Sequence, residues 1–384
     1  MIASRLRPFG TTVFSEMTRL ALEHRAVNLS QGFPDFEGPA HVIDAAVAAL
    51  RGGNNQYARS MGLPPLVEAV AAHRLRWYGQ ACDPATEVAV TTGATEAIAA
   101  AILGLVEPGD EVVLFEPFYD SYPAMVATAG AVARCVTLRF PDFALDLAAL
   151  EAQIGPRTRL LVLNSPHNPT GKVFSRAELE AIARICVERD LLVLCDEVYE
   201  HITYGAEHVP LASLPGMRER TLTASSLGKT FSFTGWKIGW LVGPPQLVAA
   251  AQAAHQFLTF ATATPLQIAA AEALRTCDAT FAAELQAGYR ARRDFLVDAL
   301  REAGFAVAVP EGAYFVLADF RAHSREDDRT FAARLVREIG VAAIPPSGFY
   351  AAAPDEGRHL LRFAFCKRME TLDAAAERLR RLAR

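Results

Sequence analysis

The order of apolar and polar positions changes period twice along the chain. Before Glu87 apolar residues recur at helical spacing. Phe14, Met17, Leu20 and Leu22 mark a helix over 11–25, and 40–50 and 66–77 mark two more. Gly32, Pro34, Gly38 and Pro39 break the stretch VNLSQGFPDFEGP into a loop. Its Phe33, Asp35, Phe36 and Glu37 either line a pocket or fill a surface turn. A second irregular stretch, 52–65, carries Tyr57.

From Glu87 to Val242 short β-rich runs alternate with helical stretches. EVAVT opens the series, and 111–115, 131–138, 159–163, 191–195, 221–224 and 238–242 continue it, with helices that include 97–106 and 178–188. Such runs are apolar on both faces. A strand needs that only when both faces are covered, so the pattern predicts a mostly parallel sheet between two layers of helices. In such sheets ligands sit beyond the carboxyl ends of the strands. TGATEA, EPFYDSY, NSPHNPTG, DEVYEH and SSLGKTF all follow a run directly, and this convergence points to one site.

After Val242 the pattern changes again. Residues 265–300 read as one long Ala-rich helix, 304–320 as two β-type runs around EGAYF, and 331–339 as a helix. VAAIPPSGFY reads as a short strand entering a loop, 360–366 as a strand and 370–382 as a closing helix. The expected organisation is an α/β fold with a large domain over 40–280 and a smaller α+β domain built from 1–39 and 281–384.

Composition narrows the partners. Of 384 residues 51% are hydrophobic and 21% charged, and the formal net charge is −5. That balance argues against nucleic acid or an acidic membrane surface as the main partner. The apolar stretch 97–106 is bounded by Glu96 and Glu107 and is too short to span a bilayer. MIASRLRPFG lacks the apolar core of a signal peptide. The six cysteines (Cys82, Cys135, Cys186, Cys195, Cys277, Cys366) show no CxxC and no metal-type spacing. They read as reduced core thiols of a cytoplasmic protein without a metal centre.

Lysine usage singles out one stretch. The chain has four lysines, Lys172, Lys229, Lys237 and Lys367, and two of them lie in SSLGKTFSFTGWKIGW. Arginine keeps its proton, whereas a lysine amine can lose it to its surroundings and act as a nucleophile. Lys229 is therefore a candidate to hold a carbonyl cofactor as a Schiff base, with Ser226 and Lys237 on that cofactor's phosphate. The alternative is an exposed basic loop. TGATE opens a helix, and the free N–H groups at such an N-terminus suit a phosphate, although glycine turns open many helices without a ligand.

Three further residues carry candidate chemistry. In NSPHNPTG two prolines stiffen the backbone around Asn168, whose amide either bonds a ligand oxygen or caps the next turn. His167 beside it reads as a surface loop histidine, with a general base as the alternative. Asp196 ends an apolar run, so its carboxylate needs a cationic partner: a protonated pyridine nitrogen or an arginine, unless it caps the loop. Tyr199 could reach the same ligand, and Glu197 points the other way. Arg362 interrupts the apolar LLRFAFC, and its fork matches a carboxylate, either a ligand's or the protein's own.

In order and spacing, NSPHNPTG, LCDEVYEH, SSLGKTFSFTGWKIGW and LLRFAF resemble the class I aminotransferases of fold type I, which use pyridoxal 5'-phosphate. The resemblance runs from VNLSQGFPDF to the C-terminal helix. QGFPDF, NQYARSMGLPPL, EPFYDSY and HQFLTF are most similar to the methionine aminotransferase and kynurenine aminotransferase (glutamine transaminase K) branch. The resemblance implies a mostly parallel seven-stranded sheet in the large domain. It implies that Lys229 carries the cofactor and moves the substrate's proton. Asp196 would face the ring nitrogen, Asn168 and Tyr199 would bond the phenolic oxygen, and Tyr119 would stack on the ring. The backbone N–H groups of Ala94 and Thr95, with Ser226 and Lys237, would hold the phosphate.

Substrate and assembly follow from the same resemblance. Tyr57 would reach the site of the neighbouring subunit in a homodimer with shared active sites. Arg362 would bind the substrate α-carboxylate with the Gly32 backbone beside it, and Phe14, Phe33, Tyr57 and Phe260 would line the side-chain pocket. Lys237 stands where many members carry arginine. Ala261 follows Phe260 where kynurenine aminotransferases carry histidine, which favours the methionine branch. The implied reaction moves the amino group of a large uncharged amino acid (methionine, an aromatic residue or glutamine) to a 2-oxo acid. The alternatives are cysteine-S-conjugate β-elimination at the same site and a non-catalytic ligand-binding module, for which the chain has no room for a DNA-binding domain before Gly32.

Overall fold

The structure, a computed structural model, describes residues 2–10 and 12–383. Helix α1 (Val13–Glu23) forms where the pattern predicts one, and the Thr12 hydroxyl accepts from the Ser15 N–H at its start. Thr11, assigned to that helix from the sequence, lies outside the described residues, as do Met1 and Arg384 of the expected small domain. β1 (Val27–Asn28), α2 (Ala40–Arg51) and α3 (Pro64–Tyr78) come next. The alternating stretch then gives β2 (Val88–Thr91), α4 (Gly93–Leu105), β3 (Glu111–Glu116), α5 (Ser121–Thr128), β4 (Val132–Thr137), α6 (Leu147–Ala152) and β5 (Thr158–Asn164). It continues with α7 (Arg176–Glu188), β6 (Leu192–Asp196), β7 (Thr221–Ser226), α8 (Leu227–Thr230) and β8 (Gly239–Val242).

These seven strands, β2 to β8, form one sheet in the order β2-β8-β7-β6-β5-β3-β4. Only β8 runs antiparallel to its neighbours, β2 and β7; the other pairs are parallel. The short link from β7 to β8 explains this. It holds only α8 and one 3₁₀ turn, Thr234–Trp236, too little for the crossover helix that a parallel return needs. Lys229 and Lys237 both lie in this link and so share one end of the sheet.

Beyond β8 come α9 (Pro245–Leu258), α10 (Thr264–Thr276), α11 (Ala279–Glu302), β9 (Ala306–Ala308), β10 (Phe315–Asp319), α12 (Asp328–Arg334), β11 (Val341–Ala342), β12 (Leu360–Ala364) and α13 (Met369–Leu379). The sheet residues alternate between two cores. Val112 and Leu114 join Ile98 and Ile102 of α4, Val126 of α5 and Val248 of α9. Val113 and Phe115 join Leu150 of α6 and Ile182 of α7. Covering both faces is what makes successive inner positions of these strands apolar, as in Val112–Phe115 and Leu160–Leu163. β12, β10 and β9 make an antiparallel sheet in that order. Its core gathers Leu20, Tyr289, Leu296, Phe331, Phe363 and Leu372.

The structure departs from the pattern in two places. Residues 265–300 are two helices, not one, because Cys277 leaves helical geometry (φ −75°, ψ 80°) and Asp278 starts α11 by accepting from the Phe281 N–H at 2.9 Å. Helix α9 fills a stretch to which the pattern assigned no element, and it begins at Pro245 after Pro244. Proline at the first helical position starts a helix at little cost. No helix of the described residues is long and apolar enough to cross a membrane. All six cysteines are free thiols, with Cys82 and Cys135 partly exposed and the other four buried.

Candidate active site

The carboxyl ends of β2, β3, β5, β6 and β7 open into one cleft. Nine residues named from the sequence line it: Ala94, Thr95, Tyr119, Asn168, Asp196, Tyr199, Ser226, Lys229 and Lys237. They lie at or just beyond the carboxyl ends of parallel strands, with Lys237 entering the antiparallel β8 at the same edge. Lys229 is held in α8 directly after β7. Its Nζ makes no hydrogen bond or ion pair among the described residues, and it lies 5.7 and 5.8 Å from the ring centres of Tyr199 and Tyr314. Burial lowers its pKa, with Asp196 and the Cys366 thiol pulling the other way.

Asp196 is 4% exposed and has no arginine partner. The Tyr122 hydroxyl donates to its Oδ2 at 2.6 Å and the Val198 N–H to its Oδ1 at 3.3 Å. Burial raises its pKa against those two hydrogen bonds. Asn168 is braced from behind: its N–H donates to Asn164 Oδ1 at 2.7 Å, and Asn164 Nδ2 donates to the Asp196 carbonyl at 2.8 Å. His167 is buried, not on the surface. Its Nδ1 pairs with Thr170 Oγ1 at 2.8 Å, and burial, aided by Lys172, lowers its pKa to about 3. The expectation failed because the prolines fold NSPHNPTG inward rather than over the surface.

No side chain caps the start of α4, so its first N–H groups face the cleft with the positive end of the helix dipole. Gly93 has φ +74°, and a Cβ there would lie 3.1 Å from both Cε and Nζ of Lys237. Lys237 itself takes a left-handed φ of 54° and donates to Thr95 Oγ1 at 3.3 Å. Glu96, one turn into α4, accepts from the Thr92 N–H at 2.5 Å, from His255 Nδ1 at 2.5 Å and from the Thr259 hydroxyl at 2.7 Å. It anchors the helix start from the side away from the cleft.

Arg362 adjoins the cleft through Asn168, whose Oδ1 accepts from Nη1 at 3.2 Å; Nη2 donates to the Ser30 carbonyl at 3.1 Å. The rings of Phe315, Phe14 and Phe349 stand 4.1, 5.1 and 5.5 Å from its Cζ. It forms no salt bridge among the described residues, and its buried Nε has no partner. Burial lowers its pKa to about 10. The protein's own acids therefore do not account for it. The backbone group that bonds Arg362 is the Ser30 carbonyl. The Gly32 carbonyl already accepts from the Tyr314 hydroxyl at 2.7 Å, and a Cβ on Gly32 would strike Phe315 at 2.7 Å.

Three of the aromatic residues expected in the side-chain pocket do not reach the cleft of their own chain. Tyr57 is 87% exposed and meets Phe260, 48% exposed, edge to face at 5.5 Å. Phe33 is exposed, with Lys367 Nζ over its ring. Phe14 alone stands by the site, stacked on Phe349 at 5.8 Å. Sequence reasoning missed Tyr122 and Tyr314. The first sits in the flagged EPFYDSY, where Tyr119 drew attention; the second sits in EGAYF, far from any strand-end motif.

The sequence profile described as aminotransferase class I and II matches residues 24–379. The chain belongs to this family. The enzyme is accordingly a pyridoxal-phosphate-dependent transaminase of fold type I. A probable N-succinyldiaminopimelate aminotransferase of Mycobacterium tuberculosis is 53% identical to this aminotransferase over 394 residues, covering 100% of this chain and 99% of its own. A structure of N-succinyldiaminopimelate aminotransferase from that organism superposes with a TM-score of 0.96 over 100% of both chains. A methionine aminotransferase of Escherichia coli is 43% identical over 381 residues, covering 99% of this chain and 98% of its own. A kynurenine–oxoglutarate transaminase of Dictyostelium discoideum is 38% identical over 411 residues, covering 97% and 94%. The methionine and kynurenine relatives are thus more distant than the first, contrary to the branch that the motifs favoured.

The cleft's chemistry fits the cofactor. Pyridoxal phosphate needs an amine for its aldehyde, an acid for its ring nitrogen and donors for its phosphate. The cleft holds a buried amine with no partner, a buried carboxylate with no cation, and an uncapped helix start kept open by Gly93.

Proposed function

We propose that this aminotransferase uses N-succinyldiaminopimelate as amino donor and a 2-oxo acid as acceptor. Lys229 and Arg362 carry the reaction class: both are buried at one cleft, and neither is paired with a carboxylate among the described residues. A buried cation without a counter-charge is costly unless a ligand supplies one. The substrate choice is supported by 53% identity over the full chain to the relative so named. A second reading, methionine or aromatic donors, is favoured by the rings of Phe14, Phe315 and Phe349 around Arg362 and by the 43% identical methionine aminotransferase.

In this proposal Arg362 receives the donor's α-carboxylate and so aims the Cα proton at Lys229. Bound pyridoxal phosphate supplies an electron sink for the charge that develops at Cα. Lys229 Nζ, its pKa lowered by burial, takes the Cα proton and returns it to the product side. Asp196, kept in place by Tyr122, would hold the proton on the ring nitrogen. Tyr199 and Asn168 would serve the phenolic oxygen, with Tyr119 beside them. Ser226, Lys237 and the N–H groups of Ala94 and Thr95 would hold the phosphate.

The exposed pair Tyr57 and Phe260 supports a homodimer in which these rings complete the site of a second copy. Phe281 at the start of α11 packs with the helices beside the sheet edge, while Tyr289 joins the other core. That supports a boundary between the two domains near 280. The free thiols support a reducing, cytoplasmic setting.

The test is a titration of the holoenzyme with N-succinyl-LL-diaminopimelate, methionine, phenylalanine, glutamine and aspartate. It follows the cofactor's visible absorption and then kcat/KM with 2-oxoglutarate. N-succinyldiaminopimelate should give the highest kcat/KM. Methionine in first place would establish the second reading. A Lys229→Ala protein that turns over normally would sink the reaction class.

A further inference from the structure

We propose that His73, His201 and Cys277 form a structural site for a zinc-type dication, buried behind the cofactor cleft. His73 lies on α3, His201 in the turn after β6 and Cys277 between α10 and α11. Their ligand atoms all lie within 4.8 Å of one another. The two imidazoles stand edge to face at 5.0 Å with an interplanar angle of 86°, and their Nε2 atoms converge to 2.8 Å. All three side chains are buried, at 2%, 4% and 0% exposure. Two imidazole nitrogens and a thiolate are a donor set that zinc prefers.

The surrounding charge points to a cation. Arg74, Glu197 and Glu200 are packed together here, with Arg74 Nη1 at 2.8 and 3.9 Å from the two carboxylates. Two carboxylates face one guanidinium, with the His208 imidazole 3.5 Å from Glu197. A dication bound to a Cys277 thiolate would add one positive charge beside these carboxylates. Glu200, next to His201 in the chain, is held by Tyr78 and Ser225 at 2.6 and 2.7 Å. Such an ordered neighbouring carboxylate is what tunes a metal site from outside its ligands.

Geometry and access are compatible with binding. Zn–N bonds of about 2.0–2.1 Å in a tetrahedral site set N···N near 3.3 Å, so the imidazole nitrogens must part by roughly half an ångström. His201 lines a cleft of about 580 Å³ shared with Glu200, Thr203, Gln286 and Arg290, which gives an entry path. The two Nε2 atoms now share one hydrogen bond at 2.8 Å, which the metal would replace. On binding, each imidazole keeps one proton, on Nδ1. The thiol loses its proton to solvent as the S–metal bond forms, so one proton is released per metal. The three ligands come from distant parts of the chain, so no sequence spacing could reveal them.

Holoenzyme is loaded with Zn2+, exchanged into metal-free buffer and analysed for metal, and a second sample is titrated with Co2+. About one zinc per chain should remain, and tetrahedral cobalt bands should appear to the red of the cofactor's own absorption. Cys277→Ser and His201→Gln should weaken binding more than about tenfold, whereas Cys82→Ser should keep it. Zn2+ should raise the Tm of the wild type and of Cys82→Ser but not of Cys277→Ser. His73→Gln serves as a second ligand removal should Cys277→Ser not fold. No retained metal on folded wild-type enzyme would overturn the site and leave His73 and His201 as a hydrogen-bonded pair. A cobalt spectrum unchanged by both Cys277→Ser and His73→Gln would overturn it equally.

Discussion

Two arginines, Arg74 and Arg362, are buried to the same degree, at 3% and 2% exposure, on opposite sides of the segment that carries Asp196 to His201. Arg74 meets Glu197 at 2.8 Å and Glu200 at 3.9 Å. Burial works against its charge, but the two carboxylates outweigh it and hold its pKa above the usual value. Arg362 meets only a carbonyl, an amide oxygen and three aromatic rings, and its pKa falls. The backbone alternates between them: Asp196 and Tyr199 face the cleft, while Glu197 and Glu200 face Arg74. Burial alone therefore does not separate an arginine paired inside the protein from one left open to a ligand. What marks the latter is the absence of the counter-charge that a folded chain would otherwise supply.

The sharpest way to break this contrast is to remove each arginine. Arg74→Met leaves two buried carboxylates facing each other and should lower folding stability by about 3–5 kcal/mol, read by urea denaturation of the holoenzyme. Arg362→Gln should leave stability within about 1 kcal/mol of wild type but cut kcat/KM roughly 10²-fold, close to 2.7 kcal/mol. If the two variants exchanged these phenotypes, the contrast would fail. Tyr122→Phe removes the hydroxyl on Asp196 and should weaken cofactor retention by about 1.5–3 kcal/mol, measured by equilibrium dialysis of pyridoxal phosphate. Phe14→Glu would give Arg362 an internal partner like that of Arg74. It should raise KM about tenfold with kcat little changed, as steady-state kinetics would show.

The smallest effect is a pH slope. His167, next to Asn168 on the Arg362 side, has its pKa lowered from 6.5 to about 3 by burial. The folded state then binds fewer protons than the unfolded state between those values. Its contribution to stability is complete above pH 6.5 and is lost as pH falls toward 3. Between pH 6.5 and about 5.5 the loss should be about 1 kcal/mol. His167→Gln should flatten that slope in denaturation midpoints, and an unchanged slope would mean that His167 is not the group responsible.

Much of the site was legible because its chemistry sits where the pattern of the chain changes. Lys229, Asp196, Asn168 and Ser226 each follow an apolar run, and a parallel sheet brings all such ends to one edge. Tyr122 and Tyr314 were not legible as site residues. Each lies among other aromatic residues, and only packing decides which ring turns toward Asp196 or Lys229. Helix α9 and the break at Cys277 were missed for a local reason: proline and alanine near a helix end start and continue helices equally well.

The sheet, its covered faces and the lysine that stands in the cleft unpaired among the described residues were all readable from the chain. Strand-length apolar runs and a scarce residue type are local facts that no fold can undo. Only the tertiary structure decided which charges were paired. Nothing in LLRFAFC distinguishes Arg362 from Arg74 in AAHRLRW. Pairing depends on whether a carboxylate from a distant part of the chain arrives within a few ångströms, and that is settled by how the elements pack. The same packing brought His73, His201 and Cys277 to one point and left Tyr57 and Phe260 on the outside.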